Sequence, residues 1–210
     1  MSVFKYEKDS DGIVTITMDM SGPVNAINAE YTAAMDETVV RLEAEKDLAG
    51  VVFASAKKVF FAGADLNELV SMDAGNEAAL FANGELIKSH FRRLEKLPVP
   101  VVAAINGAAL GGGYELSLAC NYRLAYNHKT VQIGLPECAI GVYPAGGGVV
   151  RLTKLIGVEK ALDIILKSQR LTPEKALEGG LIHEIVASLD ELVPRAKSWI
   201  MDNKANADAA

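Results

Sequence analysis

The sequence has 210 residues, half of them hydrophobic, and a formal net charge of −6 at pH 7. This composition excludes a generally disordered chain, because it supplies enough apolar side chains for a sizeable core. The acidic balance argues against a nucleic-acid-binding surface, which needs clustered Lys and Arg. One compact domain is expected at this length.

The N-terminus and the cysteines bear on the expected location. Residues 1–5 lack a basic region followed by an apolar run, and only Cys120 and Cys138 are present. No apolar stretch approaches the roughly 18 residues of a membrane-spanning helix. Two cysteines are too few for a disulfide framework. We therefore expect a soluble, cytoplasmic protein without a signal peptide, membrane segment or disulfide.

Periodic patterns predict alternating strands and helices. In chain order they indicate a strand at 13–18, a helix at 29–47 with Asn28 as N-cap, a strand at 51–54, a loop at 57–65, a helix at 77–97 and a strand at 101–105. There follow a short helix at 114–120, a strand at 122–126, helices after 148 and after Thr172, a strand at 185–186 and a helix at 189–202. Ala161, Leu162, Ile165 and Leu166 are expected to share one helix face. This order predicts α/β packing with a largely parallel sheet.

A glycine run beside a carboxylate is the first feature with chemical meaning. Glu115 follows Gly111-Gly112-Gly113 on a short apolar helix, and Glu137 lies on a loop between apolar stretches. Burial raises a carboxyl pKa, which suits proton transfer near neutral pH. Glycines let a ligand approach the unpaired N–H groups of a helix start, which favour an enolate or oxyanion. A structural glycine turn with two solvated Glu residues is the alternative.

Three segments resemble signatures of the enoyl-CoA hydratase/isomerase, or crotonase, family. They are Phe61-Ala62-Gly63-Ala64-Asp65-Leu66 and the segments 106–116 and 135–148. Residues 24–28 are similar to the family's early CoA-contact loop. Arg151-Leu152, Gly157 and residues 171–180 continue the pattern. The resemblance therefore covers nearly the whole chain in the family's order.

The resemblance implies a crotonase-like spiral of repeated ββα units and the hydration of a trans-2-enoyl-CoA thioester in fatty-acid β-oxidation. It implies the amides of Ala62 and Gly112 as oxyanion-hole donors, Glu115 as the group that activates water, and Glu137 as the proton donor to the α-carbon. The implied contacts with the acyl-CoA substrate are Ala26, Ala62, Gly63, Ala64, Asp65 and Gly112. Coenzyme A is part of the substrate, and no separate cofactor or metal is implied.

The expected organisation is one crotonase-like domain over residues 1–202 and a polar tail at 203–210, with the family's C-terminal helices absent. We expect a homotrimer or the hydratase portion of a multifunctional β-oxidation protein. Keeping both carboxylates favours hydration over isomerisation within the family pattern. Two alternatives stay open: an enoyl-CoA isomerase, in which Glu137 shuttles a proton, and a non-catalytic acyl-CoA-binding or assembly module. Residues 69–86 are expected to shape the acyl pocket.

Several other residues are assigned structural roles. Asp65 is expected to be a turn or N-cap residue, and Cys138 a small buried filler. The glycines at 146–148 are expected to allow tight packing at a helix start. Lys57 and Lys58 fit either contact with CoA phosphates or solvated surface equally well. Met18, Met20 and Met35 are expected in the core. No metal ligands are assigned to His90, His128 and His183, because their spacing does not suit a metal site. Asn121 stands where the family commonly has Asp, with little bearing on chemistry.

Overall fold

The structure, a computed structural model, describes residues 3–70 and 75–204, without the side chains of Asn67 and Leu69. Its strands are β1 (Phe4–Lys8), β2 (Ile13–Met18), β3 (Gly50–Ser55), β4 (Val101–Ile105), β5 (Ala109–Leu110), β6 (Tyr122–Tyr126), β7 (Ile133–Gly134) and β8 (Glu184–Val186). Its α-helices are α1 (Ala29–Ala44), α2 (Leu66–Val70), α3 (Glu77–Glu95), α4 (Gly112–Leu118), α5 (Gly148–Ile156), α6 (Val158–Leu166), α7 (Pro173–Glu178) and α8 (Leu189–Asn203). A single 3-10 turn covers Glu137–Ile140.

Six strands form the main sheet, in the order β1-β2-β3-β4-β6-β8. All neighbouring pairs are parallel except β1 and β2, so the expected α/β architecture with a largely parallel sheet is confirmed. Strand β1 was not predicted, although its first residue, Phe4, packs into the core. It adds an antiparallel edge to the sheet, as many parallel sheets carry.

A second, smaller set of pairings lies beyond the main sheet. After β4 and β6 the chain enters β5 and β7, which pair with each other in parallel. Isolated parallel bridges extend this layer from Ala109 to Phe61 and from Ala64 to Ile27. Each strand of the main sheet from β2 to β6 is thus followed by a short extended segment and then by helix. This repeat brings turns that are distant in the sequence to one edge of the molecule.

Both faces of the main sheet are covered, which explains why its central strands are apolar throughout. One face packs in a core with α1 and α3, where Met18, Met20 and Met35 are buried as predicted. The other face packs against α8 through side chains such as Ile200. Within the described residues, no helix combines the length and the apolar character needed to cross a membrane.

The segment after residue 148 forms two helices rather than a single continuous one. Gly157, with φ +85°, separates α5 from α6. The four residues predicted to share one face all lie on α6 but differ in burial: Ala161 and Ile165 are buried, whereas Leu162 and Leu166 are 44% and 67% exposed. These two leucines lie one position further round the helix than the buried pair. Of the predicted tail at 203–210, residues 205–210 lie outside the described part.

Candidate active site

Helix α4 places Glu115 in the interior of the molecule. Every residue of α4 is buried, and Glu115 is only 3% exposed, as its apolar neighbours predicted. The helix follows Gly111, which has φ +54° and ψ −125°, a conformation that a side chain would strain. The carbonyl of Gly111 accepts from the Tyr114 amide at 2.8 Å and from the Glu115 amide at 2.9 Å. The glycine turn therefore fixes where α4 starts and how Glu115 enters the interior.

The Glu115 carboxylate is held by the second glycine-rich segment. The Gly148 amide donates to Glu115 Oε1 at 2.8 Å, and the backbone of Gly146 also lowers the pKa of this carboxyl group. A Cβ on Gly146 would lie 2.6 Å from Glu115 Oε2, and one on Gly148 would lie 2.9 Å from Glu115 Oε1. The predicted tight packing at a helix start is present, since Gly148 opens α5. The sequence did not reveal that the group packed there is the Glu115 carboxylate.

Glu137 lies in the 3-10 turn and has a different environment. Its Oε2 is buried, and no described residue offers it a hydrogen bond. Its Oε1 faces the Gly111 turn, only 3.0 Å from where a Cβ on Gly111 would stand. Burial, followed by the negative charge of Glu115, raises the pKa of Glu137 from its ordinary 4.5 to about 7. This carboxyl group is therefore partly protonated near neutral pH.

The two carboxylates differ in what favours their ionised forms. Burial raises the pKa of Glu115, but the backbone of Gly148 and of Gly146 and the charge of Arg151 oppose this effect. Glu137 has no comparable donors from other residues. Environments that differ in this way assign a base role to the hydrogen-bonded carboxylate and an acid role to the unpartnered one. The structure thus brings the two sequence-predicted catalytic candidates into one electrostatically coupled site.

Backbone amides without an acceptor among the described residues lie on two turns beside these carboxylates. They are the amides of Gly63 and Ala64 on one turn and of Gly112 and Gly113 on the other. The two turns adjoin each other, because a Cβ on Gly63 would lie only 3.6 Å from the Gly112 nitrogen. A pair of such N–H groups, one from each turn, is suited to an oxyanion.

The structure argues against the sequence prediction that Ala62 is an oxyanion-hole donor. The Ala62 amide donates to the carbonyl of Asn25 at 2.8 Å and is therefore engaged within the protein. Among the described residues, none accepts a hydrogen bond from the amides of Gly63 and Ala64 on the same turn. Sequence reasoning missed this because the partner of a backbone amide depends on which distant segment the turn lies against.

The predicted CoA-contact residues lie on two adjoining segments. Ala26 is buried, and the next residue, Ile27, donates its amide to the Gly63 carbonyl at 2.8 Å. Asp65 in turn donates its amide to the Ile27 carbonyl at 3.0 Å. The exposed residues among them are Ala62 and Ala64. The segments that contain Ala26 and residues 62–65 therefore lie side by side.

Asn25 is a structural residue of this region that the sequence did not single out. It is fully buried, and its Nδ2 donates to Ser55 Oγ at 2.9 Å and to the Phe60 carbonyl at 3.1 Å. Its Oδ1 accepts from the Met20 amide at 3.2 Å. The side chain thus ties the 24–28 loop to the end of β3. Its place in the sequence, between a proline-containing turn and an apolar stretch, was the feature that could have indicated a buried polar residue.

The remaining candidates have structural positions. Asp65 directly precedes α2, where an N-cap residue stands. Lys57 pairs with Asp19 at 2.7 Å, which leaves Lys58 as the more exposed of the two lysines. Cys138 is only half-buried and packs against the core. No group of three or more potential ligands that could hold a metal ion occurs among the described residues. The proposed acyl region 69–86 is described only in part, and Phe81 within it is 70% exposed.

The raised pKa of Glu137 predicts a stability effect that depends on pH. Its neutral form contributes stability that is fully present below the ordinary pKa of 4.5 and is lost as the pH rises through about 7. Glu137→Gln, which stays neutral, is therefore expected to raise Tm by about 2–4 °C at about pH 8. Thermal unfolding followed by circular dichroism at several pH values checks this. An equal gain at about pH 4, where both proteins are neutral at this position, would contradict it.

Comparisons with known proteins identify the family of the chain. The enoyl-CoA hydratase/isomerase family model matches residues 8–209. The fatty acid oxidation complex subunit alpha of Shewanella halifaxensis (strain HAW-EB4) is 39% identical over 186 residues, which are 87% of this chain and 26% of that protein. The corresponding subunit of Shewanella baltica (strain OS185) is 38% identical over the same shares. The chain thus spans about a quarter of the length of the curated relatives it matches.

Solved structures show the same fold. An enoyl-CoA hydratase from Bacillus anthracis has a TM-score of 0.86 and 30% identity, covering 95% of this chain and 76% of that one. A second, from Geobacillus kaustophilus HTA426, has a TM-score of 0.88 and 28% identity, covering 97% and 75%. The ββα spiral expected from the sequence is therefore confirmed.

Proposed function

The chain belongs to the enoyl-CoA hydratase/isomerase family, and within that family we propose that it adds water to the double bond of a trans-2-enoyl-CoA thioester to give a 3-hydroxyacyl-CoA. The observation that carries this proposal is the pair of carboxylates in opposite environments, with Glu115 buried and Glu137 half-buried. Glu115 is held by the Gly148 amide, whereas Glu137 Oε2 has no partner among the described residues. Hydration needs one base and one acid at once, and isomerisation does not.

The proposed reaction begins at the thioester carbonyl. The amides of Ala64 and Gly112 donate to its oxygen, so that this oxygen can accept charge as the double bond is attacked. Glu115 removes a proton from water, and the water oxygen forms a bond to the β-carbon. The electron pair of the double bond moves toward the carbonyl and forms the enolate.

The second half of the reaction returns a proton to carbon. Protonated Glu137 transfers its proton to the α-carbon, the enolate collapses to the thioester, and the two carboxylates together have delivered one water molecule. Glu137 is left ionised and Glu115 protonated, and proton exchange with solvent restores both. The pKa of about 7 for Glu137 supports the acid role, because a catalytic acid works best near the operating pH.

We further propose that the substrates come from fatty-acid β-oxidation, and that the protein works as a homotrimer or as the hydratase portion of a multifunctional protein. The printed name of the Shewanella relatives, fatty acid oxidation complex subunit alpha, supports the second arrangement. The substrate carries its own coenzyme A, and the proposed chemistry uses no other cofactor. The adjoining segments that contain Ala26 and residues 62–65 are the proposed contact for CoA.

Isomerisation is the second candidate function, and it is favoured by the raised pKa of Glu137, whose Oε2 has no hydrogen-bond partner among the described residues. A single carboxyl group with a pKa of about 7 can move a proton from one carbon of a 3-enoyl thioester to another without Glu115. In that reaction no water is added. The two functions therefore differ in the mass of the product.

Crotonyl-CoA is the substrate that tests the proposal. We expect the purified chain to remove the ultraviolet absorbance of the enoyl thioester and to produce a 3-hydroxy thioester heavier by one water, detected by mass spectrometry. A parallel assay with a 3-enoyl-CoA measures isomerisation. Conversion of the 3-enoyl substrate without any hydration would favour the isomerase. Tight acyl-CoA binding with no turnover of either substrate would contradict both and support a binding module.

A further inference from the structure

Arg151 occupies a place in the site that the proposed reaction does not explain. It lies on α5, and only 15% of its side chain is exposed. Its Nε donates to Glu95 Oε1 at 2.6 Å, and its Nη1 donates to the carbonyl of Gly146 at 3.0 Å. The planar guanidinium therefore joins α3 to the turn that precedes α5, using two donors fixed in one rigid group.

The turn is shaped around this guanidinium. Gly147 has φ +105°, and a Cβ there would lie 2.3 Å from Arg151 Nη1, so a side chain and the guanidinium cannot both occupy that space. The Arg151 guanidinium lies over the ring of Phe91, 5.8 Å from its centroid. The same ring approaches to 3.1 Å the position that a Cβ on Gly146 would take. Arg151, Phe91 and the turn thus form one packed unit.

This unit also carries the hydrogen-bond donor of Glu115. The Gly146 carbonyl accepts from Arg151, and two residues further along the same turn the Gly148 amide donates to Glu115 Oε1 at 2.8 Å. The backbone of Gly146 also lowers the pKa of Glu115. Displacement of the turn would leave a buried carboxylate without this donor, which is costly in an apolar interior. We propose that Arg151 is a positioning residue for Glu115, in which the guanidinium anchored by Glu95 holds the Gly146–Gly148 turn against the carboxylate. This inference rests on the proposed function only for its catalytic readout.

The charged groups that face Glu115 determine in which direction its pKa changes when Arg151 is replaced. Arg151 on α5 is the cation, Glu137 on the 3-10 turn is an anion when ionised, and Tyr31 on α1 presents a buried neutral hydroxyl. Glu95 on α3 lies behind Arg151 and accepts from it. Loss of the Arg151 charge is therefore expected to raise the pKa of Glu115, because the remaining ionisable neighbours do not favour its ionised form.

The test compares Arg151→Gln with Arg93→Gln as a matched control. Arg93 also forms an ion pair between helices, with Nη2 2.7 Å from Glu43, but it contacts no residue of the site. In Arg151→Gln we expect kcat for crotonyl-CoA to fall by about 10- to 100-fold with KM within about threefold. In Arg93→Gln we expect neither to change by more than about twofold.

A readout that does not need turnover is the carboxyl resonance of Glu115 in protein labelled with 13C-glutamate, assigned by its loss in Glu115→Gln. Its titration midpoint is expected to rise in Arg151→Gln and to stay in place in Arg93→Gln. If no hydration is found but the midpoint moves, the proposed function fails and the electrostatic coupling of Arg151 to Glu115 stands. An unchanged midpoint and unchanged kcat in folded Arg151→Gln would overturn the inference.

Arg151→Lys keeps the test decisive if the Gln variant does not fold. Lysine retains the positive charge but cannot reach two acceptors with one planar group. We expect a loss of about 3- to 10-fold in kcat with a Glu115 midpoint close to that of the parent. Full kcat in this variant would show that the paired hydrogen bonds of Arg151 to Glu95 and to the Gly146 carbonyl have no positioning role.

Discussion

Glu137→Gln is expected to lower kcat for hydration of crotonyl-CoA by about 10³-fold while KM changes by less than about threefold. Glutamine has nearly the same shape as a protonated glutamic acid and keeps the 3-10 turn intact, but it cannot deliver a proton to the α-carbon. The half-buried position of Glu137 beside the Gly111 turn leaves the substrate contacts in place. Steady-state kinetics at about pH 7 measure the effect, since the Glu137 pKa is about 7.

Two further variants show whether the loss of kcat in Glu137→Gln is specific to its proposed acid role. Glu115→Gln is expected to abolish hydration to a similar degree, but to leave proton transfer by Glu137 on a 3-enoyl substrate measurable. Glu184→Gln removes a carboxylate that accepts from Tyr122 at 2.8 Å and from Arg195 at 2.7 Å, outside the site, and is expected to retain kcat. If Glu137→Gln keeps more than about a tenth of the parent kcat, the proposed acid role is wrong.

Removing the single N–H of residue 64 is expected to lower kcat by about 10²- to 10³-fold. The change is an ester in place of the peptide bond, made by incorporating lactic acid at Ala64. It keeps the side chain and deletes the donor that has no partner within the described protein. A developing enolate would then have one donor, from Gly112, instead of two. The loss is expected in kcat more than in KM, because the charge exists mainly in the transition state.

The same ester at Ala62 is the matched control. That amide donates to Asn25 at 2.8 Å, so its removal is expected to cost about 0.5–1.5 kcal/mol of folding stability and to change kcat by less than about threefold. Thermal unfolding and kinetics on both proteins separate the two effects. A large kcat loss at position 62 with none at position 64 would restore the assignment made from the sequence.

All strands of the main sheet except β1 could be predicted from the sequence, because their patterns are local. The continuous apolar run at 101–105 predicts a strand covered on both faces, and β4 is one. The burial of Glu115 was equally predictable, since Leu116, Leu118 and Ala119 surround it in the sequence and α4 is wholly buried.

The errors and omissions concern relations between distant segments. The choice between the amides of Ala62 and Ala64 depends on Asn25, which meets that turn only in the folded chain. The approach of Gly146 and Gly148 to Glu115 likewise joins segments that no periodic pattern connects. The burial of individual apolar residues on a helix is a second omission, because Leu162 and Leu166 are apolar yet exposed.

The short pairings beyond the main sheet have a consequence for how the protein folds. They join Ile27 with Ala64, Phe61 with Ala109, and β5 with β7, so every part of the site is closed by a contact between residues far apart in the chain. Such contacts form only after long loops have closed, which costs conformational entropy before the contacts stabilise the protein. Chains dominated by them therefore fold slowly. Ordered local helices can therefore exist before the carboxylates and amides meet. Enzymatic activity would then appear only at the last stage of refolding, after most of the helical signal has recovered.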